Sequence, residues 1–254
     1  MSSPISYVSM RLYHGKDDLS MAITRYLAMT AAEFGGNSPL PPKIAWMACH
    51  FSPYSTGLSN VPRQLPSGSV LMLNDITPIH GHDPQRIAAQ LRECMDTLKC
   101  SGLLLDFQRP SCPETAALAK HLTEALPCPV AVSEPYSAGL DCPVFLPPVP
   151  HHVPLEAHLA PWKGREIWLE IALDGEILTL TPEGASFTPL PPGETHEGGH
   201  REEKLHCHYI ISQSDAQACF TLWRTPEDLD TLLAEADTLG VHTAVGLYQE
   251  LGGT

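Results

Sequence analysis

Gly102-Leu103-Leu104-Leu105-Asp106-Phe107 is an apolar run that turns polar only at its end, where Asp106, Gln108 and Arg109 appear. A strand covered on both faces reads this way, as parallel strands do beneath helices. On both sides of the run the chain alternates between such strands and amphipathic helices. Upstream, Asp83-Pro84 supplies an N-cap and a first-turn proline. Ile87, Leu91, Cys94, Met95 and Leu98 then form a helical stripe. Downstream, Ser111-Cys112-Pro113-Glu114 reads as a capping box before Leu118, Leu122 and Leu126.

Further buried strands are expected at Ile44–Phe51, Val70–Ile76, Val130–Val132, Val144–Leu146, Glu166–Leu173 and Val241–Tyr248. Tyr7 to Tyr13 alternates and is expected as the first strand. Asp17 and Asp18 then open a helical pattern through Leu19, Ile23, Tyr26, Leu27 and Phe34, closed by Gly35-Gly36. Only eleven residues separate Val132 from Val144, too few for a full crossover helix. Thr225-Pro226-Glu227-Asp228 opens the last helix. Residues 174–224 have another texture: Gly, Pro, Thr and Ser punctuate short alternating runs such as Ile177–Leu180 and Tyr209–Ser212. They predict a small β-rich insertion.

Strand–helix alternation means a parallel sheet with helices outside. Eight strands, near residues 8, 45, 71, 104, 131, 145, 168 and 244, fit a somewhat irregular α/β fold of the (β/α)8 TIM-type barrel class. A single barrel domain is expected over residues 1–254, with 174–224 inserted before the last helix and strand. The alternative, an open doubly wound sheet, calls for a Gly-rich phosphate turn. The sequence contains no G-x-G-x-x-G or Walker A pattern, and no cofactor is expected. Pro53, Pro78, Pro110, Pro135 and Pro147 each follow a strand run shortly. Proline cannot donate to a ladder, so it helps end each strand, and it stiffens the loop beyond. In a barrel those loops share the end where sites are built.

The chain has 254 residues, 43% hydrophobic and 17% charged, with 25 prolines, roughly twice the usual ~5%. It is too apolar for a disordered chain and has no apolar run long enough to span a bilayer. The start, Met1 to Ile5, shows no secretory signal, so a cytoplasmic location is expected. With 15 Lys and Arg against 29 Asp and Glu, the net charge is -14. Nucleic acid and membrane are therefore not expected as partners. The eight cysteines form no C-x-x-C pair and read as reduced, mostly buried side chains.

Several stretches together resemble glycoside hydrolase family 18, in particular its bacterial spore-cortex-lytic N-acetylglucosaminidase branch. Ala218–Trp223, Pro226–Leu229, Leu239–Val241 and Gly246–Gly252 look like the family's last helix and strand. Pro161–Ile167 resembles the approach to its seventh strand. Ser101–Gln108 stands where the family has D-G-x-D-x-D-x-E on strand four. The similarity covers residues 99–109 and 161–252.

The resemblance implies that Asp106 orients the substrate's acetamide, which acts as the nucleophile. The family's general acid is replaced by Gln108, and its two earlier Asp residues by Leu104 and Ser101. The Tyr-Asp pair of strand six is absent from Val144–Pro148. The pocket tryptophan of strand eight falls at Tyr248 or Gln249. An amide has no proton to give near neutral pH. The resemblance thus implies a barrel that binds an N-acetylglucosamine-containing glycan or peptidoglycan fragment with little or no standard hydrolase activity, a pseudoenzyme.

By position, Asp106 and Gln108 share one side of their strand, with Phe107 on the other. Asp75 and Glu134 end strands, Glu170 lies inside one and Glu250 follows the last. Two such carboxylates could act as an acid/base pair. Asp106 and Glu134 are therefore the candidate catalytic residues, Glu134 as a relocated acid in an active glycosidase. Gln108, Arg109, Asp75, Tyr136, Tyr248 and Gln249 are candidate substrate contacts, with Phe51, Tyr54 and Trp223 as further stacking surfaces. A third reading is a metal site in His196–His208, with His206 and His208 on one face of a strand. His80, His82, His151 and His152 are further possible ligands. The spacings match no standard metal site, and a solvated loop is the simpler expectation.

Overall fold

A computed structural model describes residues 23–36, 39–79, 81–190 and 198–252. Eight parallel strands close into a barrel. They are β1 (Thr24–Met29), β2 (Ile44–Phe51), β4 (Val70–Asn74), β5 (Gly102–Asp106), β6 (Val130–Ser133), β7 (Val144–Leu146), β8 (Ile167–Ile171) and β14 (Thr243–Leu247). A two-residue strand β3 (Leu58–Ser59) lies antiparallel on the end of β2. Closure is made by β1, which pairs with β14 on one side and with β2 on the other.

The expected first strand at Tyr7–Tyr13 and the helix start at Asp17, Asp18 and Leu19 lie outside the described residues. Tyr26 and Leu27 are not helical: they belong to β1. Their three- and four-residue spacings suggested a helix, but Tyr26 and Ala28 alternate into the barrel interior while Leu27 faces out. Ladders on both sides outweigh the local pattern. The helix that follows, α1 (Ala31–Phe34), is a single turn capped by Thr30 and Glu33.

The outer helices are α2 (Pro84–Leu98), α3 (Pro113–Ala125), α4 (Leu155–Leu159), α5 (Pro226–Thr238) and α6 (Tyr248–Leu251). Asp83 caps α2 by accepting from Gln85 N, and Ile87, Leu91, Met95 and Leu98 are buried along it. Thr225 and Asp228 form a reciprocal capping box on α5. The box expected at Ser111 does not form. Pro113 occupies the first helical position, so the cap falls at Cys112, whose side chain makes no capping bond. Between β6 and β7 only one 3-10 turn, Glu134–Tyr136, fits the short connection.

The insertion is an antiparallel sheet of β9 (Gly175–Thr181), β10 (Gly184–Pro189), β11 (His200–Glu202), β12 (Cys207–Gln213) and β13 (Ala218–Trp223). Its spatial order is β10-β9-β13-β12-β11. Arg224, buried at the foot of β13, ties the insertion to the barrel. Its guanidinium donates to Val149 O at 2.6 Å and to His206 O at 3.2 Å.

The core has three parts. Tyr26, Ala28, Ala45, Val70, Met72, Leu104, Ala131, Phe145, Trp168 and Val245 fill the barrel interior. Two outer clusters pack the sheet against α2 and α3 and against α4 and α5. Trp168 stacks on Tyr26 at a centroid distance of 6.4 Å. Gly102 makes room for it: a Cβ there would lie 3.0 Å from the indole. Among the described residues, all eight cysteines are free thiols and no helix is long and apolar enough to cross a membrane.

Candidate functional site

Parallel strands place all their C-terminal ends at one mouth of the barrel. Pro53, Pro78, Pro110, Pro135 and Pro147 stand just beyond the ends of β2, β4, β5, β6 and β7. Side chains alternate along a strand, so two residues above an interior-facing one there is another that enters the mouth. Leu104 fills the interior, and Asp106 stands above it on β5. Trp168 fills the interior, and Glu170 stands above it on β8.

Both carboxyls line one cleft of about 340 Å³, with Phe107, Gln108, Ser133, Glu134, Pro135, Phe145 and Pro147. A pocket of similar size, about 370 Å³, lies on the outer face between Leu27 of β1 and Leu229 of α5. It is mostly apolar and contains neither strand-end pair.

Gln108 Nε2 donates to Asp106 Oδ1 at 3.0 Å. Burial raises the Asp106 carboxyl above its ordinary range and the charge of Asp75 adds to this, while the Gln108 amide opposes it. Glu170 is pushed up to about 7, chiefly by burial and then by the charges of Asp106, Glu250 and Asp174. Two neighbouring carboxyls thus differ in how firmly they hold a proton. Ser133 braces the end of β5 below them: its hydroxyl donates to Leu105 O at 2.7 Å and accepts from Phe107 N at 2.8 Å.

Glu134 also lines the cleft, at the head of the 3-10 turn, but is exposed to solvent. Asp75, Arg109 and Tyr136 form a clamp between the loops beside it. Asp75 Oδ1 accepts from Gln108 N at 3.0 Å and its Oδ2 from Arg109 N at 3.1 Å. The Arg109 guanidinium donates to Asp75 O and Ile76 O, both at 2.7 Å. Tyr136 is buried in the outer cluster against Phe107, and its hydroxyl donates to Arg109 O at 2.8 Å. This clamp sets the height of Gln108 and borders a neighbouring depression of about 300 Å³.

Tyr248 and Gln249 sit on the turn of α6 after β14, away from the cleft lining. Tyr248 packs under Gly252, and Gln249 hydrogen-bonds the Glu33 carboxylate. Glu250 Oε2 accepts from Leu173 N at 3.1 Å, closing β8 against the last turn. Phe51 lies in the outer core and Tyr54 is fully in solvent. Trp223 is buried against His208.

His80 and His196 lie outside the described residues. His206 precedes β12 in a left-handed conformation, so it does not share a strand face with His208. Its Nε2 meets Glu235 at 2.6 Å, while His208 Nδ1 meets Asp228 at 2.7 Å. Both join the insertion to α5. His152 meets Glu176 at 2.8 Å. His151 is held neutral, its pKa lowered to about 3 by burial and by the charge of Arg224. Among the described residues no group of three or more His, Cys, Asp or Glu side chains could hold a metal ion.

Of the cleft residues, Ser133 and Phe145 carried no sequence signal for a site, while Pro135 and Pro147 were marked only as strand-ending prolines on the site-bearing end. For Glu170 the signal was its place two residues beyond Trp168 in an otherwise apolar strand.

No family model matches the sequence, and no curated protein matches it. Solved structures do match the fold. The spore cortex-lytic enzyme SleL of Bacillus cereus aligns over 88% of this chain and 70% of its own, at 8% identity and a TM-score of 0.53. A chitinase from Chromobacterium violaceum aligns over 80% and 86%, at 10% identity and 0.52. A family 18 chitinase from Cycas revoluta, a double mutant including a Glu-to-Gln change, was solved in complex with (GlcNAc)4. It aligns over 87% and 94%, at 13% identity and 0.54. The chain therefore has the family 18-like (β/α)8 fold.

Proposed function

We propose that the chain is a glycoside-hydrolase-like protein that binds an N-acetylglucosamine-containing glycan, a chito-oligosaccharide or a peptidoglycan fragment, in the cleft at the barrel mouth. The observation that carries this reading is the Asp106–Gln108 pair at the end of β5. By the resemblance in sequence, it stands for the acetamide-orienting Asp and the acid of family 18. Asp106 is held by the amide with its other oxygen free to meet a sugar N–H, and Phe145, Pro135 and Pro147 give the cleft apolar walls.

The fold neighbours support the reading. The Cycas chitinase holds (GlcNAc)4 with a Glu-to-Gln change in its chain. Hydrolysis by the family's ordinary route is not expected here, because Gln108 cannot protonate a leaving oxygen.

Titration calorimetry with (GlcNAc)4 and with a muropeptide tests the proposal. Binding of either, weakened in Asp106→Ala, is the expected result. No heat with either ligand counts against it.

A further inference from the structure

We infer that Glu170, which lines the same cleft from β8, serves as the proton donor that Gln108 cannot be. This rests on the glycan reading of the cleft and goes one step further, to the residue that would let the site break a glycosidic bond.

Three features of the structure point to it. First, Glu170 is held on a β-strand, not a loop. It pairs with Val245 of β14, and the preceding Leu169 pairs with Leu146 of β7, so its direction into the mouth is set by backbone pairing. Second, it shares the cleft with Asp106, so one bound sugar can meet both carboxyls. Third, what surrounds it favours the neutral acid. Asp106 faces it from β5, Glu250 from the turn after β14, and Asp174 from beyond its own strand. From β6 the exposed Glu134 lines the same cleft. From β7 come only Phe145 and Pro147, with His158 meeting Pro147 O behind them. Arg224 acts on Asp174 and is engaged by backbone carbonyls. Glu170 is accordingly raised to about 7, the range in which a carboxyl can both hold and release a proton at neutral pH. Glu134, the candidate that the sequence offered for the relocated acid, is open to water and sits on the 3-10 turn rather than on a strand.

The step balances as follows. The bond from C1 to the glycosidic oxygen breaks, its electron pair passes to that oxygen, and the oxygen takes the Glu170 proton. The sugar's own acetamide oxygen bonds to C1, with Asp106 accepting from the acetamide N–H. Water then adds at C1, its proton returns to Glu170, and the acetamide is restored.

The test uses leaving groups. Wild type, Glu170→Gln and Glu170→Asp are compared on (GlcNAc)4 and on a 2,4-dinitrophenyl N-acetylglucosaminide, whose leaving group departs without a proton. Binding of (GlcNAc)4 is followed in parallel by calorimetry, and circular dichroism checks the fold.

The expected result is a ~10²–10⁴-fold loss in kcat/KM for Glu170→Gln on (GlcNAc)4. Little change is expected on the dinitrophenyl substrate, and binding is retained. The wild-type rate on (GlcNAc)4 falls as pH rises through about 7, a limb that Glu170→Asp keeps and Glu170→Gln lacks. Equal losses on both substrates overturn the inference, as does a Glu170→Gln variant as active as wild type on (GlcNAc)4. Binding of (GlcNAc)4 by wild type with no turnover also overturns it but leaves the glycan reading standing. Absence of both binding and turnover overturns the two together.

Discussion

Gln108 donates its side-chain amide to the Asp106 carboxylate across 3.0 Å, two residues apart at the end of β5. The pair fixes both side chains in the mouth, and it favours the ionised form of an Asp that burial otherwise makes reluctant to ionise.

Replacing Gln108 by Glu tests what this pair has lost. The variant puts a carboxyl where the resemblance places the acid. With Glu170 already supplying the proton, only a small change in hydrolysis of (GlcNAc)4 is expected, and a ~10²–10⁴-fold rise would mean that wild type has no acid in the cleft. The same change removes the donor to Asp106 and sets a second carboxylate beside it. Thermal stability near neutral pH should drop, and it should recover as the solution is acidified and one of the two takes a proton. Release of reducing ends and melting curves at several pH values measure both effects.

Glu170 makes the fold itself pH-dependent. Its folded-state pKa, about 7, lies above the ordinary 4.5, so the native state binds a proton more tightly than the unfolded chain. This contribution to stability is complete below about pH 4.5 and is lost as pH rises through about 7. Glu170→Gln should melt at a higher temperature than wild type at pH 8, and the gap should close near pH 5. A gap independent of pH would show that Glu170 is not the group responsible.

The clamp at Asp75 is expected to be structural first. Asp75→Ala removes the buried carboxylate that accepts from Gln108 N and Arg109 N, two part-buried donors. A loss of about 1 kcal/mol is expected from urea denaturation, the net worth of an ordinary hydrogen bond, because water can reach these part-buried donors. Glycan binding should weaken with it, because Gln108 is no longer held at its height. Asp75→Asn, which keeps one acceptor oxygen, should recover part of both.

Gly102→Ala tests the packing under the site. The added methyl would stand 3.0 Å from the buried Trp168 ring and 3.2 Å from the backbone oxygen of Pro129. Overpacking of this kind costs about 1–3 kcal/mol. Because Trp168 and Glu170 share β8, the near-ultraviolet signal of Trp168 and the alkaline limb of any activity should shift together. A variant as stable as wild type would mean that the barrel interior yields more easily than its packing suggests.

How much of this was legible beforehand varies along the chain. The runs at 44–51, 70–74, 102–106, 144–146 and 167–171 are strands as their apolar character predicts, since a strand buried on both faces must be apolar throughout. Asp83 and Thr225 cap helices as their side chains suggest. Thr24–Met29 misled because six residues can satisfy both a helical spacing and a strand alternation. Only the pairing partners β14 and β2 decide between them. Ser111 misled because Pro113 moved the helix start by one residue.

At the site, the resemblance alone implies that Gln108 stands in an acid's place; the sequence by itself determined that Asp106 and Gln108 stand on one side of a strand end and that a β-rich segment interrupts the chain before its last helix and strand. These follow from local order and residue type. The tertiary structure alone decided that Asp75, Arg109 and Tyr136 are joined in a clamp, that His206 and His208 serve different carboxylates, and that Glu170 enters the same cleft as Asp106. Glu170 and Asp106 are 64 residues apart in the chain, counting from 106 to 170. Their nearness depends on the barrel closing, and so does the burial that keeps a proton on one of them. A protonation state is set by surrounding charge and lost water, and those exist only once distant strands have come together.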